Sequence, residues 1–206
     1  MKISLTDQYR TLPALLPVFA KRPLSYVDHT RLPECMTARL IPTRRPIEDL
    51  RLCNVDSLFD YAIFPPSILR FAADWQAAAR AMQIGDVIVQ QAYLPPFRLS
   101  VKCIFAVRVL GITRTPTFVG IQYGTLAGHA ETGLSEFGFE RRGRELYALI
   151  HTFSEPAQML SRIVAPFVTR PYQQYCTDRA VEQMCAAFRR ANPTWCADSD
   201  PTTGCG

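Results

Sequence analysis

A histidine and a carboxylate stand two residues apart in a glycine-rich stretch of the chain. Gly124, Gly128 and Gly133 flank His129 and Glu131. This glycine spacing predicts a tight, non-repetitive loop directly after a strand. A histidine with a pKa near neutrality beside a carboxylate can act as an acid–base pair. The pattern therefore predicts a loop that presents both side chains to a pocket.

Tyr123 stands on the strand just before this loop and could orient an oxygen atom of a ligand. Together with His129 and Glu131 it completes the predicted catalytic set. The alternative is that His129 hydrogen-bonds to backbone carbonyls and only holds the shape of the loop, because loop backbone groups need such partners. The sequence leaves both alternatives open.

A second group of residues is predicted to bind the ligand. Tyr147 and His151 share one face of the last predicted strand with Glu145 and Leu149, and a concave sheet face could line a cavity. The alternative for His151 is a hydrogen-bonded histidine in the core. The other expected ligand-binding residues are Thr125 and Trp75.

Several other chemistries lack their sequence patterns. The chain has no phosphate-binding loop, dinucleotide fingerprint or nucleophile elbow. Its seven cysteines include no Cys-x-x-Cys pair, and no His-x-x-x-His pair occurs, so clustered metal ligands are not expected. We expect no cofactor and no metal, and we interpret most of the cysteines as reduced core thiols.

Composition and charge are those of an ordinary globular protein. The chain has 206 residues, 48% of them apolar and 20% charged, with a net charge of +5. The arginine clusters at 44–45, 141–144 and 189–190 are short, which is typical of solvated turns, so no nucleic-acid partner is expected. No apolar run is long enough to span a bilayer, and the N-terminus makes a poor signal peptide. We expect a cytoplasmic protein.

The pattern along the chain predicts three parts. Residues 1–56 are rich in proline and should form irregular structure with short strands and turns packed on the domain. Residues 57–192 should form the single domain, and residues 193–206 a flexible tail. A helix is predicted between Ser67 and Gly85, because one apolar stripe has helical spacing: Ile68, Ala72, Trp75, Ala79 and Met82.

After Gly85 the apolar period changes from that of a helix to that of a strand. Strands are predicted at 86–93, 99–110, 117–125, around Phe137 and Phe139, and at 144–153, with a tight hairpin at Gly143. A helix should follow from 157 to 191, kinked or broken near Pro166 and Pro171. Its apolar stripes are Leu160, Ile163, Val164 and Phe167, then Val181, Met184, Cys185 and Phe188.

This element order predicts an α+β fold in which an antiparallel sheet wraps around a long C-terminal helix. The same order occurs in START-like and polyketide-cyclase-like helix-grip domains, where an apolar cavity lies between the sheet and the helix. This is a fold-level analogy, and a fold does not determine a function.

The run 120–133 also resembles a known family. It reads Gly-Ile-Gln-Tyr-Gly-Thr-Leu-Ala-Gly-His-Ala-Glu-Thr-Gly, which is similar to the core of uncharacterised protein family 0548, Gly-Phe-x-Tyr-Gly-Thr-Leu-x-Gly-His-x-Glu-x-Gly-Glu-Glu-x-Phe. Phe153-Ser154-x-Pro156 matches a later family motif. The chain departs from the pattern at Ile121, Leu134 and Ser135, and it has Phe59-Asp60-Tyr61 near the family's Gly-x-Gly. The resemblance identifies a divergent member and implies no particular reaction.

Two functions from different classes remain open. The first is a cofactor-free enzyme that binds an apolar, polyketide-like substrate between sheet and helix and catalyses cyclisation, dehydration or isomerisation. In it His129 would be the general acid or base, Glu131 would tune it, and Tyr123 would hold an oxygen. The second is a non-catalytic carrier or sensor for a lipid or other hydrophobic small molecule. The ionisable loop favours the enzyme.

Overall fold

The computed structural model describes residues 2–94, 101–157 and 166–196. Its strands are β1 Lys2–Ser4, β2 Glu34–Ile41, β3 Leu69–Ala73, β4 Val87–Leu94, β5 Val101–Arg114, β6 Phe118–Thr125, β7 Glu131–Arg142 and β8 Glu145–Pro156. Its helices are α1 Leu12–Ala20, α2 Asp56–Phe59, α3 Asp74–Ala77 and α4 Pro166–Ala191, with short 3-10 turns at Tyr9–Thr11, His29–Arg31 and Leu50–Leu52.

The described strands form one antiparallel sheet in the order β2-β8-β7-β6-β5-β4-β3. The short strand β1 pairs with Lys102–Ile104 of β5, beyond the part of β5 that pairs with β6. Strands β4 to β8 were expected, β4 from its β-branched residues and the others from alternating apolar residues, and a hairpin turn at Gly143 with φ +61 joins the last two. The prediction of an α+β fold with a large antiparallel sheet and a C-terminal helix is confirmed.

Helix α4 covers one face of the sheet. Val181, Met184, Cys185 and Phe188 are buried in the main core, as their helical spacing predicted. The ring of Phe188 lies 4.8 Å from the ring of Phe139 on β7. Because side chains alternate along a strand, this contact identifies the odd-numbered residues of β7 as the ones that face α4.

Helix α1 covers part of the opposite face. Its buried residues Leu12, Leu16 and Phe19 pack with Val87, Val89, Ile104 and Ala106 of β4 and β5. The proline-rich N-terminal segment therefore contains a nine-residue helix with Pro17 inside it, in addition to two strands of the sheet. Its strand β2 pairs with β8 over its whole length. This segment is more regular than its proline content predicted.

The prediction of a helix between Ser67 and Gly85 is wrong. Leu69–Ala73 is strand β3, paired with β4, and only the single turn α3 at Asp74–Ala77 is helical. The apolar stripe is real, since Ile68, Ala72, Trp75 and Met82 are all buried. A short apolar run does not distinguish a buried strand from a buried helix by its period alone. Pairing with β4 decides between them, because it satisfies the backbone of β3 along the sheet edge.

The C-terminal helix begins, among the described residues, at Pro166 and contains Pro171. The first predicted stripe of this helix lies outside the described side chains. At the other end, residues 193–196 are packed rather than loose: Arg44 N–H donates to the Trp195 carbonyl at 2.8 Å, and Cys196 is 3% exposed. The packed part thus extends to Cys196, and the rest of the expected tail lies outside the described residues. Cys35, Cys53, Cys103, Cys185 and Cys196 are free thiols.

Candidate functional site

The loop between β6 and β7 holds His129 in one orientation. The loop turns at Gly128, and the His129 N–H donates to the Leu126 carbonyl at 2.9 Å. Nδ1 of His129 lies 2.9 Å from the backbone nitrogen of Glu131 and 3.0 Å from its carbonyl oxygen. The neutral ring accepts from the N–H in one tautomer and donates to the carbonyl in the other. In either tautomer the backbone of Glu131 holds the imidazole in place.

His129 is half-buried, and its ring centroid lies 4.2 Å from that of Phe105 on β5. Burial lowers the pKa of His129 from 6.5 to about 3. The imidazole is thus neutral at physiological pH, unlike the near-neutral pKa that the sequence suggested. His129 is consequently a neutral imidazole rather than an imidazolium acid.

Glu131 is the first residue of β7, and its side chain lies under α4. Burial raises the pKa of its carboxyl group, while hydrogen bonds from Gln173 and Ser154 oppose that rise. Nε2 of Gln173, on α4, donates directly to Oε1 of Glu131. A half-buried carboxyl with a raised pKa is suited to proton transfer near neutrality.

Tyr123 lies on the α4-facing side of β6, opposite Ser135 of β7. Its side chain is 8% exposed. Burial raises the pKa of Tyr123 to about 12, and hydrogen bonds from Tyr61 and Ser135 act in the opposite direction. The carboxyl group of Glu131 is close enough to raise that pKa further. The structure therefore brings together Tyr123, His129 and Glu131, the three residues predicted as catalytic.

Tyr61 and Gln90 extend this arrangement into the core, and the sequence reading did not include them. Tyr61 is 1% exposed and has φ +59, a rare conformation for a bulky residue. Its hydroxyl accepts a 2.7 Å hydrogen bond from Nε2 of Gln90, which pairs with Phe105 across β4 and β5. The signal for Tyr61 was its place near the family's Gly-x-Gly, since glycine adopts positive φ readily.

The hydroxyl of Thr125 is used within the protein. It donates to the Gly133 carbonyl at 3.0 Å and accepts from the Gly133 N–H at 2.8 Å. A third hydrogen bond, of 2.5 Å, joins it to the Ser25 hydroxyl. These contacts fill its one donor and two acceptor positions. They link the end of β6 to the start of β7, on either side of the loop that holds His129.

The other predicted ligand-binding residues lie elsewhere. Tyr147 and His151 alternate with core residues of β8 and so occupy the face away from α4. Nε2 of His151 lies 2.7 Å from Oε1 of Glu34, and the Tyr147 hydroxyl donates to Glu145 at 2.7 Å. Trp75 is buried in the main core on α3, at 4% exposure. Tyr147, His151 and Trp75 therefore lie away from the loop that holds His129.

Among residues 2–94, 101–157 and 166–196, no three His, Cys, Asp or Glu side chains are grouped as they would be around a metal ion. None of the helices within these ranges has the length and apolar character needed to cross a membrane.

Comparisons with known proteins identify a family. The fold is similar to that of a hypothetical protein from Helicobacter pylori, with a TM-score of 0.50 and 6% identity over 76% of this chain and 88% of that chain. A Bordetella parapertussis protein solved by NMR matches with a TM-score of 0.35 and 13% identity, over 94% of this chain and 93% of that chain. No curated protein matches. Residues 53–183 match a family model described as a domain of unknown function, so the chain belongs to this family, DUF1990.

Proposed function

We propose that the chain is a cofactor-free enzyme that catalyses an acid–base step on a small apolar, polyketide-like organic substrate. One observation carries the proposal: Tyr123, His129 and Glu131 converge at one end of the sheet face that α4 covers. A carboxyl, an imidazole and a phenol in a half-buried place are the groups that proton transfer and oxygen binding require. The reaction would be an isomerisation, cyclisation or dehydration.

Glu131 is the proton-transferring group in this proposal. Its carboxyl has a raised pKa, and it is held in place by Gln173 from the helix side. His129 supplies a hydrogen bond from its neutral imidazole, because its lowered pKa keeps the ring uncharged. This assignment exchanges the roles first given to the two residues, since an imidazole with a pKa of about 3 carries almost no proton to give at neutral pH.

The apolar character of the substrate is supported by the walls beside the loop. Phe105, Cys103 and Ala92 form a buried cluster there, with Ala130 of the loop packed against it. Apolar walls with a few convergent polar groups are typical of small-molecule sites.

We also propose that the fold is of the helix-grip type and that the resemblance to uncharacterised protein family 0548 reflects a true relationship. We further propose that the protein acts in the cytoplasm, without a metal ion and without a nucleic-acid partner.

Native mass spectrometry of the freshly purified protein, followed by denaturing extraction, tests the proposal. We expect a small apolar molecule, which then serves as substrate in turnover assays. Glu131→Gln keeps the size of the side chain and should reduce turnover by ~10²-fold or more. Glu136→Gln is the matched control, because Glu136 lies on the same strand but pairs with His151 on the opposite face. Stoichiometric ligand with no turnover in any variant would instead identify a carrier.

A further inference from the structure

Strand β2 forms one end of the sheet. It pairs with β8 over all eight of its residues, Glu34–Ile41, without a break in register. Among the described residues, no strand pairs with the other side of β2. The edge of a sheet presents a row of backbone N–H and C=O groups to which another strand can bind. β2 therefore offers such an edge along its full length.

Two backbone hydrogen bonds show which groups of β2 lie along this edge. The Ser154 N–H of β8 donates to the Pro33 carbonyl at 3.0 Å, so Pro33 is directed toward β8. The Arg44 N–H donates at 2.8 Å to the Trp195 carbonyl, which lies outside β8. Because successive backbone groups of a strand point to opposite sides, the odd-numbered residues of β2 bind β8 and the even-numbered ones point outward. The outward residues are Glu34, Met36, Ala38 and Leu40.

The free edge lacks the features that usually keep sheet edges from pairing. Natural edges are protected by internal proline, lysine, bulges or a short length. Pro33 and Pro42 stand just outside the two ends of β2, its register with β8 has no bulge, and it contains no lysine. Its one basic residue, Arg39, lies 3.1 Å from Glu182 of α4 and so is directed to the helix side.

The opposite side of β2 is apolar and exposed. Met36 pairs with His151 and Leu40 pairs with Tyr147, so both side chains lie on the sheet face away from α4. Met36 is 51% exposed and Leu40 is 44% exposed, and the exposed Ala38 stands between them. Large apolar side chains beside outward backbone groups are typical of a strand that binds another strand.

We propose that two copies of the chain pair edge to edge through β2, antiparallel, about a two-fold axis at Ala38. A two-fold axis normal to the sheet keeps equivalent faces of the two copies on the same side, so outward residues meet outward residues. Ala38 then lies opposite the partner's Ala38, and Met36 lies opposite the partner's Leu40. The even-numbered backbone groups form the hydrogen bonds, and two apolar pairs form beside them.

The C-terminal turn limits how the two copies align. Thr43 forms an antiparallel bridge with Cys196, so the edge is free only up to Pro42. A pairing centred on Ala38 spans 34–42 in both copies and ends at this bridge. A centre closer to the C-terminal end of β2 would force the partner's strand into the bridge.

The side chains favour the same centre. It places Met36 opposite the partner's Leu40, which joins two apolar side chains. A centre at Thr37 would instead place the carboxylate of Glu34 opposite that leucine. On the helix side, Arg39 lies opposite the partner's Thr37, so no like charges meet.

The size of the contact suits a reversible dimer. The nine residues 34–42 span about 30 Å, because each strand residue advances by about 3.4 Å. The sheet and the helix layer beside it make this edge about 20 Å deep. Each copy would bury ~600 Å² and the pair ~1,200 Å², which is the lower end of the range for specific complexes. A dimer of this kind adds to the proposed enzyme and does not depend on its chemistry.

Sedimentation velocity of the full chain tests for the dimer. Between about 1 µM and about 500 µM we expect a monomer–dimer equilibrium with a Kd on the order of 10 µM. Amide hydrogen exchange at the two ends of this range locates the contact. The amides of Met36, Ala38 and Leu40 should exchange at least ~10-fold more slowly at the high concentration. Those of Thr37 and Arg39 should be protected at both concentrations, because they bind β8.

Ala38→Pro interrupts the pairing at its centre. The Ala38 N–H points outward, so proline leaves the bonds between β2 and β8 in place, and the melting temperature should stay near that of the wild type. In the dimer, proline removes the donor at the axis from both copies, and the Kd should rise at least ~100-fold. Leu40→Lys serves if Ala38→Pro does not fold, because a lysine on an edge opposes pairing. Ile84→Lys is the matched control and should leave the Kd unchanged, since Ile84 is 66% exposed and lies outside β2.

A pair of opposite charges tests the register. Met36→Glu and Leu40→Lys alone should each raise the Kd by ~10-fold or more. The double variant should recover most of this loss, because each new carboxylate then lies opposite a new ammonium group of the partner.

Three results would overturn the inference. The first is a monomer at every concentration, which would leave the edge to a different occupant. The second is a dimer in which the amides of Met36, Ala38 and Leu40 remain unprotected, or one whose Kd is unchanged by Ala38→Pro and by Leu40→Lys. The third is a double variant that dimerises no better than either single variant, which would exclude the register centred on Ala38.

Discussion

The backbone N–H of Glu131 donates a 2.9 Å hydrogen bond to Nδ1 of His129. Nδ1 also lies 3.0 Å from the Glu131 carbonyl oxygen, so both backbone groups of Glu131 hold the imidazole in the loop. The ring is neutral because burial lowers its pKa. The carboxyl group of Glu131 accepts a hydrogen bond from Gln173 on α4.

His129 should therefore remain neutral across the physiological range. Nitrogen-15 NMR of the imidazole should show one protonated and one unprotonated ring nitrogen from about pH 5 to about pH 8, with signals assigned through His129→Gln. A His129 resonance that titrates near its ordinary value of 6.5 would contradict the burial that we describe.

The same burial makes stability depend on pH. The pKa of His129 is lowered in the folded state from 6.5 to about 3, so between these values the unfolded chain binds the proton more readily. The free energy of unfolding of the wild type should fall, relative to His129→Gln, as the pH drops through this window, by at most about 1.4 kcal/mol per pH unit. Above pH 6.5 the difference should be constant. Urea titrations across this range measure it, and parallel curves would contradict it.

Thr125→Val should destabilise the protein by about 1–3 kcal/mol, because valine has the shape of threonine but leaves the N–H of Gly133 without its partner. Thr125→Ser keeps the hydroxyl and should cost less. Chemical denaturation of the two variants and the wild type gives the comparison. If Val and Ser substitutions were equally harmful, the methyl group rather than the hydroxyl would be the important part of Thr125.

Two glycines of β7 and its hairpin should respond differently to alanine. A Cβ at Gly133, which has φ +153, would come within 2.0 Å of the Phe153 carbonyl oxygen, whereas one at Gly143, with φ +61, meets nothing within 4 Å. We expect Gly133→Ala to cost at least about 3 kcal/mol and Gly143→Ala about 1 kcal/mol, the ordinary cost of a left-handed backbone. Thermal unfolding of both variants measures the difference. Comparable melting temperatures would contradict the close approach at Gly133.

Tyr61→Phe should destabilise the core by about 1–3 kcal/mol, since it removes the hydroxyl that accepts from Gln90 and leaves that buried amide unpaired. The double variant Tyr61→Phe with Gln90→Leu should recover part of this loss, because it removes the unpaired amide as well. Urea unfolding of the single and double variants tests this coupling. Purely additive losses would indicate that the two side chains do not depend on each other.

Local pattern was enough to predict most of the sheet. Strand β4 is rich in β-branched residues, and β5 to β8 carry apolar residues at alternate positions on one face, as the geometry of a strand with a buried face requires. The buried stripe Val181, Met184, Cys185 and Phe188 of α4 was predicted for the same reason, at helical spacing. The glycines around His129 likewise predicted a loop at the position where one occurs.

Where local pattern failed, a distant partner decided the structure. The run at 69–73 became strand β3 because it pairs with β4 along its whole length, and no local property of those residues reveals that edge. Residues 193–196 looked like a tail, yet Trp195 packs under Arg45, with its ring centroid 4.4 Å from the guanidinium carbon. Both outcomes depend on residues far apart along the chain.

The sequence by itself determined which residue types stand in the loop: an imidazole, a carboxylate and a phenol within nine residues, at positions where a strand ends and a chain turn begins. Tertiary structure alone decided their chemical states. Burial beside Phe105 lowers the pKa of His129, burial raises that of Glu131 against the hydrogen bond from Gln173, and burial raises that of Tyr123 to about 12. A protonation state depends on the surrounding solvent, charges and hydrogen bonds, and those surroundings exist only once strands and helix have assembled around the loop.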